Sequence, residues 1–391
     1  MSVKISELSK YSENDLEKIR LVEDVYNQFA PVKQQVLRSI KREFVGDFDR
    51  CDYDFDELEK IQDPQIFTKY CPECNKKYPK GENVCMDCLV HLKDISSKVN
   101  VKDIDFKPQF IFNGKNSLDS FEEILSGENL KKINEFEFNH DDYMNILYNI
   151  KSQAFKNFDD IVKTNEIIFD ELNILDKIIL FVKSFVKVDY KSSGGQLGYF
   201  EENTVFIDDR QTRSLQITTL IHEVSHFIIH EILTEILCKL LDTTKNSFIE
   251  EIIYFVLSYS SFTQLIDEYS AHNVEGRFTV FGFQDYSSFI QIVQNLDGEM
   301  SDDDIEITKS IGNTFALSIK EILESLIDSD LREDIKDQFM KDVLDRPNYR
   351  ALEMENYKIL NEYGLLKAIW LILNEGCEIA ALNIDKLKQT E

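Results

Sequence analysis

The sequence predicts an α+β fold that is mostly helical, and three observations predict it. Apolar residues recur at helical spacing over most of the 391-residue chain. One strong hairpin signal, "YKSSGGQLGYFEENTVFIDDR" at 190–210, interrupts that pattern. Four cysteines crowd into residues 71–88, where periodicity gives way to paired Cys-x2-Cys knuckles.

Residues 1–64 read as an N-terminal helical segment. Ser12 with Asp15 forms a capping box before "LEKIRLVEDVYNQF". Pro31 opens a second amphipathic helix, "PVKQQVLRSIKREFV", which Gly46 ends. An acidic connection, "DFDRCDYDFDELEK", leads to the cysteine module at 65–95. Residues 96–140 are a connecting region, with "PQFIFN" as a short strand and "SLDSFEEIL" as a short capped helix. The main domain, 141–300, opens with the helical runs "YMNILYNIKSQAF" and "ELNILDKIILFVKSFVKV". In the hairpin, Gly194 and Gly195 lead into one strand, "EEN" turns, and "TVFID" is the second strand. Two apolar helices follow, "LQITTLIHEVSHFIIHEILTEIL" and "FIEEIIYFVLSYSSF", then the segment "TQLIDEYSAHNVEGRF". The C-terminal region, 301–391, reads as about three helices, with "SDDD" as an acidic amino-terminal cap.

Composition narrows the function. Hydrophobic residues make up 43% of the chain, enough for a real core. A net charge of −28 argues against general nucleic-acid binding, which needs a positive footprint, and against anionic membranes. The amino terminus is polar and lacks an apolar signal core. Apolar runs such as "AIWLIL" are too short to span a bilayer. The expected location is therefore cytoplasmic, where cysteines serve as metal ligands more readily than as disulfides.

Cys71, Cys74, Cys85 and Cys88 are spaced as Cys-x2-Cys, ten residues, Cys-x2-Cys. Each pair sits on a knuckle whose backbone amides support the thiolates, and the ten-residue span is long enough for a hairpin that joins the pairs. The module resembles a zinc ribbon over about 25 residues. The resemblance implies one structural Zn2+, since four thiolates leave no open position. Lys69, Lys76, Lys77, Lys80 and Lys93 make the module locally basic, but Glu73, Glu82 and Asp87 offset them. A protein partner at the ribbon is therefore expected in preference to nucleic acid. Cys51, Cys238 and Cys377 are expected to be reduced thiols.

The segment 215–237 is apolar nearly all round, which means burial, yet it carries His222, Glu223 and His226. Burying such groups without partners costs several kcal/mol. "HEVSH" fits His-Glu-x-x-His, and on a helix His222 and His226 face one metal ion together. Glu223 lies beside them, placed to take a proton from water polarised by the metal.

A hairpin followed by this helix resembles the zincin metallopeptidase superfamily, over roughly residues 185–280. The resemblance implies a catalytic Zn2+, Glu223 as general base and a peptide or protein substrate laid along an edge strand. The metzincin extension is absent, because its third histidine would fall at Ile232. His230 reads as a core or supporting residue. "DEYSAH" resembles the Glu-x-x-Ala-Asp segment of glutamate-liganded zincins and the helix of antirepressor-cleaving metallopeptidases. On that match Glu268 is the third ligand, with Glu250 and Asp267 as rivals. His272 stands where the pattern has Asp, able to orient a ligand or bind the metal itself. Tyr199, Tyr269 and Arg277 are candidates to stabilise an oxyanion. The expected activity is a zinc metallopeptidase with restricted intracellular protein substrates. The alternative is a non-catalytic zinc-binding scaffold that acts through the ribbon.

Overall fold

The computed structural model describes residues 44–47, 67–74, 76–79, 82–94, 100–108, 118–191, 197–201, 203–279, 285–296, 298, 300–343 and 358–388. Strand β1 (Phe44–Asp47) comes first, then β2 (Phe67–Tyr70), β3 (Lys77–Pro79), β4 (Val84–Cys85), β5 (Val90–His91) and β6 (Lys93–Asp94) of the cysteine module. Helices α1 (Leu118–Ile124), α2 (Gly127–Glu135), α3 (His140–Thr164) and α4 (Ile174–Phe185) follow. Strands β7 (Lys187–Tyr190), β8 (Gly198–Glu201) and β9 (Thr204–Ile207) precede the long helix α5 (Arg213–Leu241). The chain continues through α6 (Ser247–Ser258), α7 (Ser261–Phe278), α8 (Ser287–Gln294), α9 (Asp302–Glu324), α10 (Ser329–Val343), β10 (Lys358–Leu360) and α11 (Glu362–Lys388). The fold is thus α+β and mostly helical, with a few small sheets.

Helix α5 is the hub. Helices α3, α4, α6, α7 and α10 all pack against it, and nearly every one of its residues is buried. A helix apolar on all sides needs neighbours on all sides, and these supply them. Thr212 makes no side-chain cap, so the first turn finds its acceptor elsewhere: Ser214 N donates to Asp342 Oδ2 of α10 at 3.0 Å. One contiguous core runs from Val101 to Ala380, so α9, α10 and α11 share it with the central helices. Among the described residues no helix is long and apolar enough to cross a membrane.

Strands β7, β9 and β8 form a sheet in that order, with β7 parallel and β8 antiparallel to β9. Strand β8 is therefore an edge. Asn203 makes the hairpin turn at φ 56°, a left-handed conformation that Asn tolerates. Gly198 lets β8 lie close on α5. A Cβ there would clash with Thr219 Cγ2 and lie 2.7 Å from the Phe206 carbonyl oxygen. The edge strand thus passes directly over the turn of α5 that carries Glu223.

Several expectations need correction. The second N-terminal helix does not reach Val45, because Phe44–Asp47 is a strand paired antiparallel with β10. Its aromatic and β-branched residues suit a strand, and Ile359 and Leu360 of the partner are fully buried. The helical run through Val188 ends at Phe185, where alternation in Lys187–Tyr190 takes over and pairs it with β9. Among the described residues the two cysteine pairs are not joined by a hairpin of their own. Instead β2 pairs β3 around Cys71 and Cys74, and β4 pairs β5 around Cys85 and Cys88. The helix "SLDSFEEIL" is α1, and the strands after Leu197 and Asn203 are β8 and β9. The helices of 12–43, the strand at 109–113, Gly194, Gly195, Lys80 and Cys51 lie outside the described residues.

Candidate metal centre

The sulfurs of Cys71, Cys74, Cys85 and Cys88 converge within 4.8 Å of one another and could hold a metal ion. Cys74 Sγ and Cys85 Sγ are 3.8 Å apart. Four thiolates in a tetrahedron around zinc, at about 2.3 Å each, stand about 3.8 Å apart. Tyr78 Oη lies 2.8 Å from Cys85 Sγ, and its hydrogen bond, with support from the Asp87 and Cys88 amides, draws that thiol down to about 6. The Cys88 thiol, hydrogen-bonded with Cys74 and buried by its neighbours, is pushed up to about 12. Hydrogen bonding thus favours one thiolate and disfavours one thiol among the four close sulfurs. Cys238 and Cys377 are buried free thiols, both raised to about 12 by burial.

The second cluster joins α5 to α7. Ser260 caps α7, accepting from Thr263 N, and the helix turns Asp267, Glu268, His272 and Glu275 toward the histidines of α5. His222 Nε2 and His226 Nε2 are 3.1 Å apart, and Glu268 Oε2 lies 3.6 and 4.0 Å from them. Three donors at about 2.1 Å from a tetrahedral ion are separated by about 3.4 Å. The other ring nitrogens meet carboxylates. Glu275 Oε2 bonds His222 Nδ1 at 3.2 Å. Asp267 Oδ1 lies 3.0 Å from His226 Nδ1, close but not aligned as a hydrogen bond. A proton on each Nδ1, on the side of its carboxylate, would leave the two Nε2 atoms facing each other as lone pairs. That arrangement fits a cation between them.

Charges in the cluster move together. Desolvation lowers the basicity of His222, but its bonds to Glu268 and Glu275 outweigh it and raise its pKa well above the ordinary value. His226 is likewise desolvated yet pushed up to about 9, chiefly by the Asp267 charge. Burial would raise Glu268, but the His222 bond and the charges of His226 and His222 hold it well below the carboxylate range. Burial raises Glu223 above its ordinary value, the direction that makes a carboxylate a stronger base.

A cavity of about 720 Å³ opens over the cluster, lined on one side by β8 and on another by residues 285–292. His222, Glu223, His226, Glu268 and His272 all face it. Rival ligand Glu250 is not brought in. It pairs with Lys245 at 3.1 Å and accepts from Asn203 Nδ2 at 3.3 Å. His230 is core: its Nε2 donates to the Glu250 carbonyl at 2.9 Å, and burial pushes its pKa down to about 3. Of the oxyanion candidates, Tyr199 lines the cavity with the rest of β8 but turns its side chain away, and Tyr269 and Arg277 lie outside the lining. Tyr199 Oη accepts from Lys191 Nζ at 3.1 Å and its ring stacks on Phe206. Tyr269 packs with Tyr286 and Phe289, and Arg277 pairs with Glu324 at 2.6 Å. Glu275 and Ser288 were not singled out from sequence. Glu275 had a signal: 268, 272 and 275 form one titratable stripe on a buried helix face.

No family model, curated protein or solved structure matches this chain.

Proposed function

We propose that the chain is a zinc-dependent metallopeptidase of zincin type. The observation that carries this is the pair of facing Nε2 atoms, each ring backed by a carboxylate and completed by Glu268, beside a buried Glu223. His222, His226 and Glu268 would hold the catalytic zinc, and the four cysteines a structural one. Zinc there supplies a Lewis acid that brings the pKa of water toward neutrality. Glu223 takes the proton of the attacking water and hands it to the leaving amine. The open edge of β8 pairs with an extended substrate, whose backbone then crosses above Glu223.

A scaffold reading has one observation in its favour. Met86 and Leu89 on the second cysteine knuckle are 75% and 77% exposed, an apolar tip suited to a protein partner. Glu223→Gln separates the two readings. It keeps the metal and, with peptidase activity, lowers turnover about 10²–10⁴-fold. If the full-length protein hydrolyses no peptide in a broad library that Glu223→Gln also leaves intact, the catalytic reading fails.

A further inference from the structure

Glu268 is the most exposed of the three donors at the histidine cluster, at 25% against 12% and 11% for the imidazoles. A long carboxylate side chain with that freedom needs a restraint to present one oxygen to a metal. The restraint comes from a different helix. Ser288, in the first turn of α8, donates its hydroxyl to Glu268 Oε2, the same oxygen that faces the two Nε2 atoms. His272 Nε2 reaches the same hydroxyl oxygen. A serine has one proton to give, and an ionised carboxylate can only accept. The proton therefore goes to Glu268, and His272 donates from Nε2. Its Nδ1 then faces Glu275 Oε2 at 3.5 Å without a hydrogen bond.

Helix α8 is fixed independently of the metal cluster. Tyr286, Phe289 and Leu296 pack on Leu265 and Tyr269 of α7, with the Tyr269 and Phe289 rings 4.8 Å apart. Asp285 accepts from Ser287 N at 2.9 Å at the start of the helix. The hydroxyl is thus delivered from a small apolar cluster of its own to the ligand oxygen.

We infer that Ser288, held by His272, is the positioning residue for Glu268, presenting its Oε2 as the third metal donor. This rests on the metal reading above. Supporting hydrogen bonds of this kind set ligand orientation, and their loss costs about 10–100-fold in metal affinity.

The test uses the full chain with its cysteine site filled with zinc. Affinity at the second site is measured by chelator competition, and cobalt(II) is then added there as a spectroscopic probe. Ser288→Ala is expected to bind about 10–100-fold more weakly and to shift the cobalt visible bands. Ser288→Thr, which keeps the hydroxyl, is expected to restore both. The inference is overturned if Ser288→Ala matches the parent protein in affinity and spectrum while His222→Ala abolishes both. Should His222→Ala also leave them unchanged, the metal reading fails first and takes the inference with it.

Discussion

Glu275 offers the sharpest test of the histidine cluster, because the role assigned to it rests on its geometry beside His222. It is buried, and its Oε2 sits 3.2 Å from His222 Nδ1 and 3.5 Å from His272 Nδ1. Its carboxyl is held below its ordinary pKa: burial works against ionisation, but the bond to His222 and the proximity of the His272 ring prevail. A hydrogen bond to a charged group contributes about 1.5–3 kcal/mol. At about 1.4 kcal/mol per decade, that is about 10–100-fold in the affinity of any ion held by the other ring nitrogen. Glu275→Gln keeps an acceptor for Nδ1–H but loses the charge, so it belongs near tenfold. Glu275→Ala orphans a buried N–H and belongs near a hundredfold. Chelator competition on protein whose cysteine site is already filled reads the difference. If Glu275→Ala binds metal at the second site as tightly as the parent, the orienting role assigned to Glu275 is wrong.

Two further predictions concern pH. His230 stays neutral in the fold down to about 3, while an unfolded histidine charges near 6.5, so protons bind the unfolded chain first and stability falls as pH drops through that window. His230→Gln should narrow the loss between about pH 6.5 and pH 4.5 by about 2–3 kcal/mol, read by urea denaturation at the two pH values. At the metal cluster the sign is reversed. Without metal, His226 keeps its proton up to about 9 and His222 is likewise raised well above its ordinary value, so a metal must displace a proton from each ring, and affinity should rise by up to about a hundredfold per pH unit between about 7 and 9. A dye measurement of proton release on zinc addition checks this, and zero release at neutral pH would refute it.

Much of this was legible in the sequence because the chemistry is local. Cys-x2-Cys places two sulfurs on one knuckle, and His-x3-His places two rings on one helix face, whatever the tertiary fold. Glu268 was legible only through a resemblance, since its position depends on where α7 crosses α5. Glu250 was a fair rival by spacing, yet Lys245 in the loop just before its helix claims it. Tyr199 fails for a reason of period two: Gly198 and Phe200 face α5, so Tyr199 points to the other face of the sheet. Ser288 could not be found from sequence at all. It lies twenty residues past Glu268 on a separate short helix, and no local pattern links the two.

Charge balance explains why so polar a cluster can sit inside an apolar helix packing. Glu223, Asp267, Glu268 and Glu275 bring four negative charges against three imidazoles, all largely shielded from water. Two protons on His222 and His226, or one divalent cation between them, reduce the net charge by the same amount. The two solutions differ in geometry. With Nδ1–H already committed toward Glu275 and Asp267, a second proton on each ring would set two N–H groups against each other across 3.1 Å. A divalent ion meets the same two nitrogens as lone pairs and takes the Glu268 oxygen as well. An ion would meet both the charge and the direction of the two Nε2 atoms, whereas protons meet only the charge, and the same carboxylates that raise the basicity of both rings would favour a cation between them.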